Sequence, residues 1–252
     1  YDLKYGFRDF RGGGRSSARE TAARVAAGSI ARKMLQDLAN TEFLAWVSDV
    51  GNISSNISLD EVTQEAIEES PVRCPDKTAS AKMEKEIADA KMNKDSVGGI
   101  VTLLIKNVPA CLGEPAFDRT EALLAQAMLS IPATKGFEIG SGFSAAKMRG
   151  SEHNDIPVYQ NGKFSTKTNF AGGTLGGITN GENILCRIAF KPTATIAKEQ
   201  PTVNKLGESG VLAARGRHDP CVAVRAPVIV ESMAALVLAD LYLRNRARQN
   251  LF

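Results

Sequence analysis

No apolar run in the 252-residue chain reaches the roughly 18 residues that cross a bilayer. The opening Tyr1-Asp2-Leu3-Lys4 has none of the character of a signal peptide. Both absences argue against a membrane partner and for a soluble intracellular protein. Cysteine is scarce and dispersed: Cys74, Cys111, Cys186 and Cys221 form no Cys-x-x-Cys pair, and histidine contributes only His153 and His218. That set is too thin for a metal site, so buried free thiols in a reducing compartment are the expectation. Aromatics make up 6% of residues and are not interleaved with the basic ones, which argues against an RNA-binding module. Charge of one sign is lacking too. The 31 Lys and Arg against 28 Asp and Glu leave +3, so no nucleic-acid partner is implied and any basicity that matters is local. Nucleotide signatures are missing: no Gly-x-x-x-x-Gly-Lys-Ser/Thr occurs, and Gly172-Gly173-Thr174-Leu175-Gly176-Gly177 does not fit Gly-x-Gly-x-x-Gly.

What is present begins with glycine. Gly12-Gly13-Gly14 runs into Arg15-Ser16-Ser17-Ala18-Arg19-Glu20-Thr21. Glycines permit positive φ and close approach of a ligand, and Ser17 with Glu20 has the Ser-x-x-Glu spacing of a capping box. The first amides of a helix are unpaired and carry partial positive charge, to which Arg15 and Arg19 add full charge. An anion site at this helix start is one reading. An ordinary capped helix after a flexible turn fits the spacing equally well.

With 43% hydrophobic content the chain can bury a substantial core, as one large domain or two intimately packed halves. Residues 17–39 read as a helix with Val25, Ile30, Met34, Leu35 and Leu38 as bulk. Its small residues, Ala22, Ala23, Ala26, Ala27, Gly28 and Ala31, predict close helix packing and a buried central helix. Residues 42–50 read as a strand covered on both faces, with Phe43, Ala45 and Val47 alternating against Leu44 and Trp46. Residues 78–94 predict a charged amphipathic helix with Met83, Ile87 and Met92 inward. Strands are expected over 99–108 and 183–190, a helix over 120–129, and a final helix over 227–246 with Val230, Met233, Ala234, Val237, Leu238 and Leu241 as its stripe. Residues 151–169 read as an exposed polar excursion or a loop over a site, with His153 in solvent. Lys191-Pro192-Thr193-Ala194-Thr195 suits a phosphate or a flavin edge, although surface turns share that composition.

Tyr5-Gly6-Phe7-Arg8-Asp9-Phe10-Arg11, the glycine turn and the following Ser16 to Gly28 together resemble the chorismate synthase family. The similarity continues through Cys111 to Asp118 and Ser130 to Gly140. It implies an α/β (α+β) protein with a β-α-β sandwich, helices packed between antiparallel sheets, and a homotetramer. Without it, the alternation of strands and helices is equally compatible with a parallel sheet.

The resemblance further implies an FMN-dependent lyase. Members convert 5-enolpyruvylshikimate 3-phosphate, which carries two carboxylates and a phosphate, to chorismate by an anti 1,4-elimination that requires reduced flavin without net oxidation. Carried over, Arg15, Ser16, Ser17, Pro132, Ala133, Gly176, Lys191, Pro192, Thr193, Ala194, Thr195 and Arg217 contact FMN. Ser17, Arg19 and Arg217 lie close to the substrate, and Asp219 and Ser17 take the catalytic roles, Asp219 orienting or relaying a proton. A bridge from Asp219 to Arg217 or Arg225 is the plainer alternative. His218 is assigned a structural or supporting role rather than proton transfer. The source of reducing equivalents, NADPH among them, divides the family, and the location it implies is cytoplasmic, or plastid in a plastid-bearing source.

The resemblance covers about the C-terminal two-thirds of a usual member, read as a single domain lacking the family's N-terminal segment. The segment with the Gly-Glu-Ser-His-Gly motif and a second histidine are not among these residues. The start at Tyr1 without Met leaves a fragment, a processed product or unlisted upstream residues open, and with them a catalytically incompetent phosphate-binding remnant as the alternative. Two local departures stand near the site: Phe170 where the family is usually polar, and a proline at 227 one residue early.

Overall fold

The computed structural model describes residues 1–9, 11–160, 162–214 and 218–249. Helices follow as α1 (Asp2–Tyr5), α2 (Thr21–Ala39), α3 (Gln64–Glu69), α4 (Lys77–Met92), α5 (Thr120–Leu129), α6 (Gly150–His153) and α7 (Pro227–Gln249). The strands are β1 (Glu42–Val50), β2 (Ile53–Ser54), β3 (Gly99–Lys106), β4 (Thr134–Ile139), β5 (Pro157–Gln160), β6 (Lys163–Thr166), β7 (Thr174–Leu175), β8 (Ile178–Thr179), β9 (Ile184–Phe190), β10 (Gln200–Val203) and β11 (Ser209–Leu212). Five of them form one sheet in the order β2-β1-β3-β9-β4, antiparallel throughout. The parallel-sheet alternative is thereby excluded. The remaining strands form three separate hairpins.

Alternation decides which side chains face which layer. Phe43, Ala45 and Val47 of β1, Val101, Leu103 and Ile105 of β3, and Ile184, Cys186 and Ile188 of β9 pack with buried residues of α2, α4, α5 and α7 in the main core. Leu44, Trp46 and Leu104 point the other way, where Val62 and Ile67 close a smaller second core. β1 is therefore covered on both faces, as its run of apolar residues predicts.

α7 opens with Pro227 at its first position, where the missing N–H costs nothing. α4 opens on Asp76, whose carboxylate accepts from Thr78 N and Ala79 N at 3.0 Å. The Ala79 N–H holds that carboxyl below its ordinary range.

The small-residue row of α2 is packed only in part: Ala22, Ala23, Ala26 and Ala27 are exposed, so α2 lies at the surface rather than as a buried central helix. Gly28 sits against Ser232 of α7, and Ala31 and Leu35 are buried beside it. Ile30 and Leu38, expected to supply bulk, are instead exposed, because α2 rides on α7 rather than on the sheet and buries only one stripe. Met92 is likewise exposed, lying in the last turn of α4 beyond the reach of the core, whereas Met83 is fully buried and Ile87 partly so. Three cysteines are buried and free, and burial pushes the Cys74, Cys186 and Cys221 thiols up. Cys111 departs from the expectation and is exposed, in a turn with φ 72°.

A buried carboxylate ties α2, α7 and the sheet edge together. Glu231 accepts from the Ala45 N–H at 2.9 Å and pairs with Arg32 at 2.5 Å. The Ala45 amide faces the side of β1 that β2 is too short to reach, so the carboxylate replaces a missing ladder bond. Burial raises the Glu231 pKa, and Arg32 and the Ala45 N–H only partly offset it. The folded state therefore holds this proton more tightly than the unfolded chain. The associated stability is complete below the ordinary glutamate value and is lost as pH rises through the folded one. Urea titrations between pH 4.5 and pH 7, starting at the ordinary glutamate value of 4.5, should show the wild-type stability falling relative to Glu231→Gln. A difference that grows with pH would contradict the assignment.

Candidate active site

The helix start is built differently from a capping box. The Ser17 hydroxyl accepts from Arg19 N at a long 3.4 Å, residues Ala18–Glu20 form a 3-10 turn, and α2 begins only at Thr21. Glu20 does not reach back. It turns forward one helical turn to pair with Arg24 at 2.8 Å, because an i,i+4 cation is the nearer partner. Of the three glycines only Gly14 adopts positive φ, at 54°, and Ser16 Oγ donates to Gly13 O at 2.6 Å within the turn.

Arg24 links this start to the next predicted stretch by donating to Ser130 Oγ at 2.7 Å. Three residues on, Ala133 is held at φ 72°, a strained conformation for a residue with a Cβ. Its carbonyl accepts from Lys191 N at 2.9 Å. Pro132-Ala133 and Lys191-Pro192 are thus adjacent, where β4 begins beside the end of β9. Further along, Thr193 Oγ1 donates to Asp219 O at 3.2 Å. Thr195 and Asp219 then line one cleft of about 520 Å³ together with Lys94, His218 and Arg225.

The chain continues through the β10–β11 hairpin, from whose turn Lys205 Nζ pairs with Asp2 of α1 at 2.9 Å. A circuit is thereby closed: from α1 through the glycine turn to Arg24, across to Ser130 and Ala133, along Lys191 to Thr195, and out over the hairpin back to α1. Arg15, Ser16, Ser17, Arg19, Pro132, Ala133 and Lys191 to Thr195 all lie on it. At its N-terminal part, Tyr1, Tyr5, Phe7, Gly12 to Gly14 and Ser16 line a cleft of about 390 Å³, distinct from the one that Thr195 and Asp219 line.

Charge is distributed unevenly along the circuit. Arg11 pairs with Asp9 at 3.0 Å and Arg24 with Glu20. Between them Arg15 and Arg19 are exposed, and among the described residues neither they nor Lys191 has a carboxylate within ion-pair distance.

Other predicted residues fall outside this grouping. Gly176 forms the turn of the β7–β8 hairpin with φ 60° and open space on its Cβ side. Gly177 beside it accepts from Thr120 N at the start of α5, whereas Ser130 follows that helix's far end. A helix of 10 residues spans roughly 15 Å, so within one chain Gly176 stands apart from Ala133. Arg217 lies outside the described residues. Asp219 is committed to Arg225 through two contacts, 2.8 Å and 3.1 Å, which is the plainer bridge the sequence left open.

His153 is not in solvent. It is half-buried, with Nε2 2.9 Å from Ser141 Oγ and its ring 5.8 Å from that of Phe170. The excursion around it is ordered by Asp155, whose carboxylate accepts from Phe170 N, Ala171 N and Thr168 Oγ1 at 2.7–2.9 Å. Burial opposes ionisation of Asp155, but these donors hold its pKa below the ordinary range. The aromatic Phe170 is accommodated by stacking on His153 rather than by a polar contact.

Among the described residues no group of three or more His, Cys, Asp or Glu could hold a metal ion. No helix of the described residues is long and apolar enough to cross a membrane. A family model described as chorismate synthase matches residues 1–243. The chain belongs to the chorismate synthase family. A chorismate synthase of Gloeothece citriformis is 55% identical over 249 residues, covering 98% of this chain and 69% of the relative. One from a Synechocystis species is 53% identical over 249 residues, with 98% and 69% covered. A solved structure described as the crystal structure of chorismate synthase superposes with a TM-score of 0.77 at 32% identity, over 97% of this chain and 68% of that one. Membership carries the enzyme class with it: a chorismate synthase is a lyase of the shikimate pathway acting on a small-molecule substrate. The mixed architecture of an antiparallel sheet with helices is the family's as well.

Proposed function

We propose that the closed circuit is the part of the chorismate synthase site that holds reduced FMN and 5-enolpyruvylshikimate 3-phosphate while phosphate and a ring proton are eliminated. The observation that supports this is the set of cations without a carboxylate partner among the described residues, Arg15, Arg19 and Lys191, on segments connected through the Arg24–Ser130 and Lys191–Ala133 hydrogen bonds. A substrate with two carboxylates and a phosphate needs several fixed cations, and arginine's planar fork suits both groups.

The donor set also fits a flavin mononucleotide. Lys191 offers an ammonium whose one side-chain bond among the described residues is a long 3.4 Å contact to Pro192 O, the strained turn at Ala133 presents backbone beside it, and the Gly176 turn leaves room for a flat ring to approach. Because Gly176 lies at the other end of α5, its contact is assigned to a flavin shared with a second copy, in keeping with a homotetramer. Bound reduced flavin supplies an electron-rich ring that stabilises positive charge developing as phosphate leaves.

This chain's residues do the remaining work. Ser17, whose hydroxyl oxygen makes only a long bond to Arg19 N, has its O–H free to donate to a substrate oxygen. Arg19 and Arg15 neutralise the anionic groups, and Arg217 is assigned to the same task. Arg225 fixes the direction of the Asp219 carboxylate through both guanidinium contacts, so that the carboxylate can hold or orient the departing proton. NADPH is the proposed reductant for the flavin and the cytoplasm the proposed location.

The test is an anaerobic assay of the protein with 5-enolpyruvylshikimate 3-phosphate. Chorismate and inorganic phosphate should appear in equal amounts when reduced FMN is added, and Arg217→Ala should abolish both. Turnover that proceeds without flavin would refute the proposal.

A further inference from the structure

The residues that hold the Lys191 to Thr195 loop in place come from a segment that has no motif of its own. Between α4 and β3, five consecutive residues each meet that loop, its continuation to Lys198, or the turn that carries Asp219. Lys94 O accepts from Lys198 N at 3.0 Å, and the Asp95 carboxylate takes Lys198 Nζ at 3.1 Å. Ser96 Oγ donates to Thr193 O at 2.7 Å, and Val97 N donates to Pro220 O at 2.8 Å. Gly98 lies so close that a Cβ there would stand 2.7 Å from Phe190 O and 3.1 Å from Pro192 Cδ.

Ser96 is the centre of this clamp. Its hydroxyl holds the backbone of Thr193, and the hydroxyl of Thr193 in turn holds the backbone of Asp219 at 3.2 Å. The chain of bonds runs from the start of the sheet through one predicted flavin contact to the predicted proton-handling residue. Ser96 is half-buried and lines the cleft shared by Thr195 and Asp219, not the one lined by Tyr1 and Tyr5. Among the described residues its side chain bonds to Thr193 alone.

We infer that Ser96 is a positioning residue, which sets the Lys191–Thr195 loop and, through Thr193, Asp219 in register for flavin binding and turnover. This rests on the assignment of that loop to FMN. A serine hydroxyl 2.7 Å from a carbonyl on a rigid strand entry fixes that carbonyl's direction, and with it the amides and hydroxyls that follow.

The experiment measures reduced-FMN affinity anaerobically, alongside hydrogen exchange of residues 191–198 without flavin, for the wild type, Ser96→Ala, Ser96→Thr and Lys191→Ala. A lost neutral hydrogen bond corresponds to roughly a tenfold change. Ser96→Ala should weaken FMN binding about tenfold and speed exchange in the 191–198 loop, with the melting temperature and exchange of β3 and β9 unchanged. Ser96→Thr should restore both, since it keeps the hydroxyl. Normal FMN affinity in Ser96→Ala while Lys191→Ala has lost it would overturn the inference and leave the site assignment standing. Normal affinity in Lys191→Ala as well would instead remove the site assignment. Accelerated exchange throughout the sheet in Ser96→Ala would mark a general structural role and also overturn the inference.

Discussion

Gly28→Ala is expected to destabilise the protein by about 3 kcal/mol, the high end of the usual cost of overpacking. The sign is the opposite of what helix propensity dictates, since alanine in a helix interior is favoured over glycine by about 1 kcal/mol. Packing wins because of where the new methyl would lie. It would sit 2.4 Å from Ser232 Cβ, 2.7 Å from Ser232 Cα and 2.8 Å from Ser232 O. Two of those three atoms are backbone, so no rotamer change relieves the clash, and α2 must lift off α7. That movement would unseat Ala31 and Leu35, and it would pull Arg32 away from Glu231. For a domain of this size the melting temperature should fall by roughly 10 °C. Gly150→Ala is the control, because nothing lies within 4 Å of its Cβ position and its φ is ordinary. It should match or slightly exceed the wild type. A Gly28→Ala protein as stable as the wild type would show that the two helices do not meet as described.

The same helix shows how far the sequence could be read. A row of small residues suggests that α2 is closely packed, but only Gly28 and Ala31 of the six are buried, and Ala22, Ala23, Ala26 and Ala27 are exposed. It does not announce the partner, since Ser232 lies 204 residues away and carries no periodic signal. Misreadings of bulk have one cause. Ile30, Leu38 and Met92 are apolar residues on faces that no described element covers, and periodicity cannot tell an uncovered apolar face from a core one. The capping box failed for a related reason: Ser17 and Glu20 have the spacing, but Arg24 competes for Glu20 and wins.

At the site, legibility depended on motif-like chemistry. The turns at Arg15, Pro132, Lys191 and Asp219 were recognisable as segments; single bonds join the Pro132, Lys191 and Asp219 segments, and the Arg15 turn connects to them through Arg24 of α2. The clamp at residues 94–98 was not recognisable, because its contribution is made largely by backbone atoms and one serine hydroxyl. The glycines at 98 and 99 both face backbone within 3 Å, an approach that no sequence pattern marked.

Arg19→Ala is expected to lower kcat/KM for 5-enolpyruvylshikimate 3-phosphate by roughly 100-fold, the worth of one or two charge-assisted hydrogen bonds to an anion, while leaving stability unchanged. The separation follows from the charge pairing along the circuit. Arg19 is exposed and has no carboxylate partner among the described residues, so nothing in the fold depends on it. Arg24, five residues later, is partly buried, pairs with Glu20 and donates to Ser130, so Arg24→Ala should lose stability and, through the loosened Ala133 turn, activity together. Arg19→Lys should recover only part of the rate, since a point charge replaces a planar fork. Salt supplies an independent check. If Arg19 acts on a trianion through water-exposed charge, rising ionic strength should increase the wild-type KM more steeply than that of Arg19→Ala. An Arg19→Ala protein that keeps kcat/KM within about threefold of wild type, against the 100-fold loss expected for an anion contact, would remove this arginine from the substrate site. Equal salt slopes in the two proteins would do the same, since a cation that meets no anion has no field for salt to screen.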